Sequence, residues 1–117
     1  MYKTHPCGAL RESHVGEEVV LAGWIHRYRD HGGVLFFDLR DRFGIVQIVA
    51  DPDVLGGDFQ IAEQLRAEWV VQFTGVVQKR PEGATNPNMK TGQIDVLANK
   101  IKVLNPSKPL PFPINKD

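Results

Sequence analysis

The run GWIHRYRDHGGVLFFDLRDRFGIVQIV, residues 23–49, holds an aromatic ring, an amide and several guanidinium groups at positions that a strand pattern turns outward. From Val34 to Arg40, Leu35, Phe37 and Leu39 fall on one face. Val34, Phe36, Asp38 and Arg40 fall on the other, because successive strand side chains point to opposite sides of a sheet. The next run, Ile45 to Asp51, sends Val46, Ile48 and Ala50 one way and Ile45, Gln47 and Val49 the other. Phe36 therefore stands on a polar face with Asp38 and Arg40, and Gln47 joins it from the neighbouring strand. A flat ring can stack an unpaired nucleic-acid base, while an amide and a guanidinium hydrogen-bond its edge. Taken singly, each residue also has a plainer use. Phe36 could be covered by another element, Gln47 could be an ordinary exposed strand residue, and Arg40 and Arg42 could pair with Asp38 and Asp41.

The elements that must position these groups read clearly. Val19 to Arg29 is a first strand, and Gly23 within it predicts the bend or bulge that a small barrel needs. His31-Gly32-Gly33 turns the chain into Val34–Asp41, and Arg42-Phe43-Gly44 turns it into Ile45–Asp51. Asp51-Pro52-Asp53 with Gly56-Gly57 ends this meander, and Phe59 to Glu68 is an amphipathic helix with Asp58 near its N-terminus. Trp69–Lys79 and Gln93–Leu104 are the fourth and fifth strands. Between them lies the turn-rich RPEGATNPNMKTG, residues 80–92. This order predicts a mainly β fold: a five-stranded OB-fold Greek-key barrel with one helix between strands 3 and 4. Such a barrel binds ligands on strands 2 and 3 and the adjoining loops, which brings Phe36, Gln47 and residues 80–92 together. The domain is expected to span residues 1–104. Residues 105–117, with four prolines, read as an extended linker.

Composition narrows the possibilities. At 117 residues and 42% hydrophobic, the chain can bury a core as one domain, and no apolar run approaches the ~20 residues of a membrane span. Its N-terminus lacks a signal-peptide core, and a single cysteine, Cys7, excludes an internal disulfide framework; both point to the cytoplasm. Cys7 reads as a packed thiol, and the four histidines are too scattered to suggest a metal site. Fourteen basic and fourteen acidic residues cancel, so general attraction to polyanions is not expected. The charge is unevenly spread: residues 51–68 carry five acids against Arg66, a local balance of −4, while Arg27, Arg29, Arg40, Arg42, Lys79 and Arg80 lie elsewhere. That arrangement suits a short, specific nucleic-acid contact.

The segments HPCGALRESHVGEEVVLAGWIHRYRDHGGVLFFDLRDRFGIVQIVADPD and RPEGATNPNMKTGQIDVLA, with PLPFPIN near the end, resemble the N-terminal region of bacterial aspartyl-tRNA synthetases. Loops and turns match as well as strands, over nearly the whole chain. The resemblance implies an anticodon-binding barrel whose linker leads to a class II catalytic domain absent from this sequence. It implies no catalytic residue, cofactor or metal within the fragment, and ATP and Mg in an intact, homodimeric enzyme that attaches aspartate to tRNA.

By the same resemblance, the GUC anticodon splays onto the barrel. Phe36 would stack the central uracil, Gln47 and Arg29 would hydrogen-bond it, and Asp95 would lie by the first base. Arg80 and Asn86 would approach the third base or the backbone, with Arg27 among the binding residues. The chain departs from some relatives at Gln78 and Ala84, where Arg and Asn stand. His31 and Gly83 resemble members that charge both aspartate and asparagine tRNAs, which differ in the third anticodon base. Asp95 could instead pair with Lys79 or Lys100. Two other classes stay in view: a free-standing single-stranded nucleic-acid-binding OB module, and an OB domain serving only protein contacts.

Overall fold

The computed structural model describes residues 3–105. The expected linker lies outside the described residues, apart from Asn105. Five strands, β1 (Glu18–His31), β2 (Val34–Asp41), β3 (Gly44–Ala50), β4 (Val70–Lys79) and β5 (Ile94–Asn105), close into a barrel in the order β1-β2-β3-β5-β4. Every contact round the barrel is antiparallel except β3 with β5, which is parallel and short, Ile48 opposite Val96 and Val49 opposite Leu97. Among the described residues no helix is long and apolar enough to cross a membrane.

The alternation that defines β2 and β3 is what fills this barrel. Phe37, Leu39, Val46, Ile48 and Ala50 are fully buried, and Phe37 packs on Phe73 of β4 with ring centroids 5.7 Å apart. The β1–β2 turn is a tight one: Gly32 and Gly33 take φ of 62° and 91°, the positive values that two-residue hairpin turns require. β1 is long because it serves two neighbours. Glu18–Trp24 pairs with β4, and Trp24–His31 pairs with β2. The bulge expected at Gly23 falls instead between Ile25 and Arg27. Gly23 meets a different need: a Cβ there would run into the Arg40 carbonyl of β2 where β1 passes between its two partners.

The expected helix begins at Phe59 as its apolar periodicity suggests but ends at Gln64, short of Glu68, and a capped helical turn precedes it. Asp51 accepts from Asp53 N at 2.9 Å and Pro52 opens helix α1 (Pro52–Leu55); a 3₁₀ turn at Gly56–Asp58 leads into α2 (Phe59–Gln64). Asp58 makes no side-chain cap, because the cap and proline that nucleate the segment lie upstream. Leu55, Ala62 and Leu65 seal one side of the barrel core. The N-terminal lead-in holds two 3₁₀ turns, Cys7–Ala9 and Glu12–His14, and inserts Cys7 and Leu10 fully into the core. Trp24 and Trp69 are half-buried rather than enclosed, and Trp69 packs against the core from its edge.

Candidate nucleic-acid interface

Two adjoining clefts open on the outer face of β1–β3. The first, about 400 Å³, is bordered by Phe36, Arg29, His31, Val34, Gln47, Arg80 and Ala84. The second, about 440 Å³, is lined by Arg27, Arg40, His26, Ile45, Asn86, Asn88 and Met89, with Asp38 at its side. Arg29, Gln47 and Arg80 line both, so these three form the wall between them.

Phe36 sits opposite Arg29 in the β1–β2 ladder, half-exposed. The Arg29 guanidinium lies 5.5 Å from its ring centre, and the His31 ring meets it edge-on at 5.9 Å. Arg29 Nη2 also donates to Gln47 Oε1 at 2.8 Å. One side chain thus bridges the ring and the amide. Gln47, in the middle of β3, turns out of the barrel as the alternation predicts, yet it is only 5% exposed. Its Nε2 donates to Asp95 Oδ2 at 3.4 Å, which leaves one amide N–H without an assigned partner.

Asp95 does not stand at the rim of the clefts. It is 3% exposed, lines neither of them, and lies beneath Gln47 on β5, opposite Gln78 of β4. Its Oδ1 is buried and no well-formed hydrogen bond reaches it. Burial pushes its carboxyl above the ordinary carboxylate value, against the opposing pull of the Gln78 and Gln47 amides and the Arg80 charge. Neither Lys79 nor Lys100 takes it as an ion-pair partner; Lys79 reaches Glu12 at 3.7 Å instead.

Arg80 is likewise more interior than a loop position suggests, at 6% exposed. Its Nε donates to Ile94 O at 2.9 Å and its Nη1 to Ala84 O at 3.2 Å, which ties the start of β5 and the interior of the β4–β5 loop to one guanidinium. The remaining Nη2 is buried without a partner. Burial lowers the pKa of this guanidinium, and the charges of Asp95 and Asp38 oppose that shift. The loop holds itself together by Asn86 N to Gly92 O at 2.9 Å, and Thr91 Oγ1 anchors it to Ile45 O of β3 at 2.7 Å. Asn86 borders the larger cleft, while Gly83, with φ of 89°, shapes the turn and lines neither.

Arg27 lines the larger cleft and reaches Asp38 at 4.0 Å; Asp41 takes Lys3 at 3.7 Å. Asp38 and Asp41 therefore have other partners than Arg40 and Arg42, and Arg40 faces the larger cleft. His26, Asn88 and Met89 lie there too, and sequence reasoning passed them over. His26 owes its place to the bulge, and the two loop residues to how the 80–92 segment folds back over Ile45. The clefts can receive a planar base against Phe36, offer donors from Gln47 and Arg29 to its edge, and neutralise adjacent phosphates with Arg27 and Arg40.

Similarity to known proteins points to nucleic-acid binding at the level of the domain. A model of the tRNA anticodon family, described as an OB-fold nucleic acid binding domain, matches residues 19–104. An aspartate–tRNA(Asp/Asn) ligase of Rhodopseudomonas palustris (strain TIE-1) is 56% identical over 113 residues, covering 97% of this chain and 19% of that protein. A ligase of the same name from Bradyrhizobium diazoefficiens is 51% identical over 116 residues, with 99% and 19% covered. The chain thus spans about a fifth of the length of the curated relatives it matches. Among solved structures, asparaginyl-tRNA synthetase from Pyrococcus horikoshii superposes with a TM-score of 0.77 at 28% identity, over 98% of this chain and 25% of that one. Aspartyl-tRNA synthetase from Entamoeba histolytica reaches 0.78 at 16% identity, over 89% and 21%, a likeness of fold alone.

Proposed function

Because this chain belongs to the tRNA anticodon family of OB-fold nucleic acid binding domains, we propose that it reads the anticodon loop of aspartate tRNA as the N-terminal part of an aspartate–tRNA ligase. The observation that carries the reading is Phe36, half-exposed on the barrel's outer face with Arg29 over it and Gln47 hydrogen-bonded to Arg29. A base stacked on that ring meets a guanidinium and an amide at its edge. Uracil, with two carbonyl acceptors and one imide donor, suits this pair. The larger cleft, with Arg27, Arg40 and Asn86, takes the next nucleotide and its phosphate. In the full-length protein the aminoacylation itself, with ATP and Mg, belongs to the portion beyond this chain.

The relatives' names specify aspartate–tRNA(Asp/Asn) ligases. The same relaxed specificity here rests on His31 and Gly83, residue types that resemble those of members charging both tRNAs; His31 lies against the Phe36 ring and Gly83 in the turn of the 80–92 loop. Comparable charging of aspartate and asparagine tRNAs by the full-length protein is expected, and a hundredfold preference for the former would refute the relaxed reading.

The anticodon reading is tested by titrating stem-loops that carry GUC, GUU and an unrelated triplet. GUC and GUU are expected to bind and the unrelated loop to bind much more weakly. Equal affinity for all three would leave only a general single-stranded nucleic-acid-binding module.

A further inference from the structure

Resting on that anticodon reading and going beyond it, we propose that Phe43 is a second stacking platform, which takes a nucleotide flanking the anticodon in the same RNA loop. A third cleft, about 270 Å³, adjoins the larger one and shares Ile45, Asn88 and Met89 with it. Phe43 and Lys90 border this cleft and not the larger one. The three clefts therefore form one track from Phe36 to Phe43, with an aromatic ring at either end. Phe43, in the β2–β3 turn, is 64% exposed, the most open of the large apolar side chains among the described residues.

A lone exposed apolar side chain is ordinary, but this one is held in place. Phe43 N donates to Asp41 Oδ1 at 2.8 Å, and Asp41 Oδ2 accepts from the N–H of buried Cys7 at 2.9 Å. The lead-in packs so tightly on the turn that a Cβ on Gly44 would stand 2.6 Å from Gly8 Cα. Backbone pinned in this way loses little freedom when a base lands on its ring. Charge favours RNA over a protein face as the occupant. Phe43 also borders a cleft of about 360 Å³ that holds Lys3 and Arg42, and Lys3 Nζ lies 5.4 Å from the ring centre. Among the described residues, Lys3, Arg42 and Lys90 line the two clefts beside the ring against Asp41, which Lys3 and the Cys7 N–H already occupy. A flat ring among cations, continuous with an arginine-lined cleft, is the combination that holds single-stranded nucleic acid. Every base has a π face, so this platform adds affinity without changing how the triplet is read.

Abasic substitution separates a stacked base from other roles. The 117-residue chain is titrated with stem-loops carrying GUC and GCC (middle base changed). It is also titrated with GUC loops in which one of the two nucleotides on either side of the triplet is abasic. The wild type is expected to prefer GUC over GCC. Phe43→Ala is expected to weaken both by roughly tenfold and to leave their ratio unchanged. One abasic position should weaken the wild type by a similar factor, and with that loop Phe43→Ala should cost nothing further. The position so identified names the flank. Phe43→Tyr keeps the flat ring and should bind as the wild type does. Phe43→Leu, apolar without a flat face, should behave as the alanine variant does. Melting curves should stay alike, because the ring is exposed.

Undiminished affinity in Phe43→Ala would overturn the platform and leave the ring to a protein contact, with the anticodon reading intact. A loss that persists in full at every abasic position would overturn it too, since the ring would then act on the fold and not on a base. A changed GUC-to-GCC ratio would make Phe43 part of triplet reading instead. A wild type that does not distinguish GUC from GCC, but still loses affinity for both on Phe43→Ala, would remove the anticodon reading and leave a platform for single strands in general.

Discussion

In the proposed anticodon reading, base binding turns on Phe36, because a ring face is the one thing here that no hydrogen bond can replace. Truncating it removes stacking worth roughly 1–3 kcal/mol per base. Phe36→Ala is therefore expected to weaken GUC stem-loop binding by about tenfold or more. Half-exposed, it contributes little to the core, so the melting temperature should move little; unchanged affinity would exclude stacking. Asp95 makes a second prediction at this scale. Its folded-state pKa is raised by burial, so its contribution to stability is fully present below the unfolded value of 3.8 and is lost as pH rises through the folded value. Asp95→Asn removes that titration. The variant should gain stability relative to the wild type as pH rises from below 3.8 toward neutrality, read from paired denaturation curves. A difference that does not change with pH would show that the carboxyl is not held in a raised state. Cys7 is the opposite case, a fully buried thiol that lines neither cleft. Burial and the neighbouring Asp41, whose Oδ2 accepts from the Cys7 backbone N at 2.9 Å, push its pKa well up, so it stays a neutral packed group.

At the scale of elements, two segments outside the strands complete the barrel. The lead-in passes so close to the β2–β3 turn that a Cβ on Gly8 would stand 2.5 Å from Phe43 O, and one on Gly44 2.6 Å from Gly8 Cα. The β4–β5 loop depends on Arg80. Replacing it with Met keeps most of the apolar length but deprives Ile94 O and Ala84 O of their donor. A cost of about 1–3 kcal/mol is expected, chiefly from the buried Ile94 carbonyl left unpaired. Hydrogen exchange at Ala84, Asn86 and Met89 should accelerate while β2 and β3 stay protected. Uniform acceleration across the barrel would mean that Arg80 supports the whole fold rather than the loop. These dependencies explain what could be read from the sequence. β2 and β3 were legible nearly to the residue because strict alternation and two glycine-bearing turns specify them. The short helix before Phe59 was not, since Asp51 and Pro52 act through capping, which leaves no apolar period. The places of Asp95 and Arg80 were hidden for another reason. Outward alternation assigns a face but does not reveal that a neighbouring loop or side chain covers it, and both residues lie under such cover.

On the scale of the whole molecule, the balance of fourteen basic and fourteen acidic residues bears on the proposed contact with RNA. A neutral chain gains no long-range collection of polyanions, so its affinity must come from local cations and from the bases. Four arginines, Arg27, Arg29, Arg40 and Arg80, line the larger cleft, and Arg27 is shared with Asp38 and Arg80 with two carbonyls. Each phosphate neutralised on a single strand contributes about −0.7 to the slope of log K against log salt. Even full use of all four would give a slope near −3, and the partnering of Arg27 and Arg80 makes about −1.5 the expected value. Stem-loop titrations between 50 and 300 mM salt read this slope directly, and GUC-over-GCC selectivity should persist across the series because stacking and edge hydrogen bonds release no counterions. A slope steeper than about −5 would require more phosphate contacts than these arginines can supply. It would shift the source of affinity from the Phe36 cleft to the surface at large.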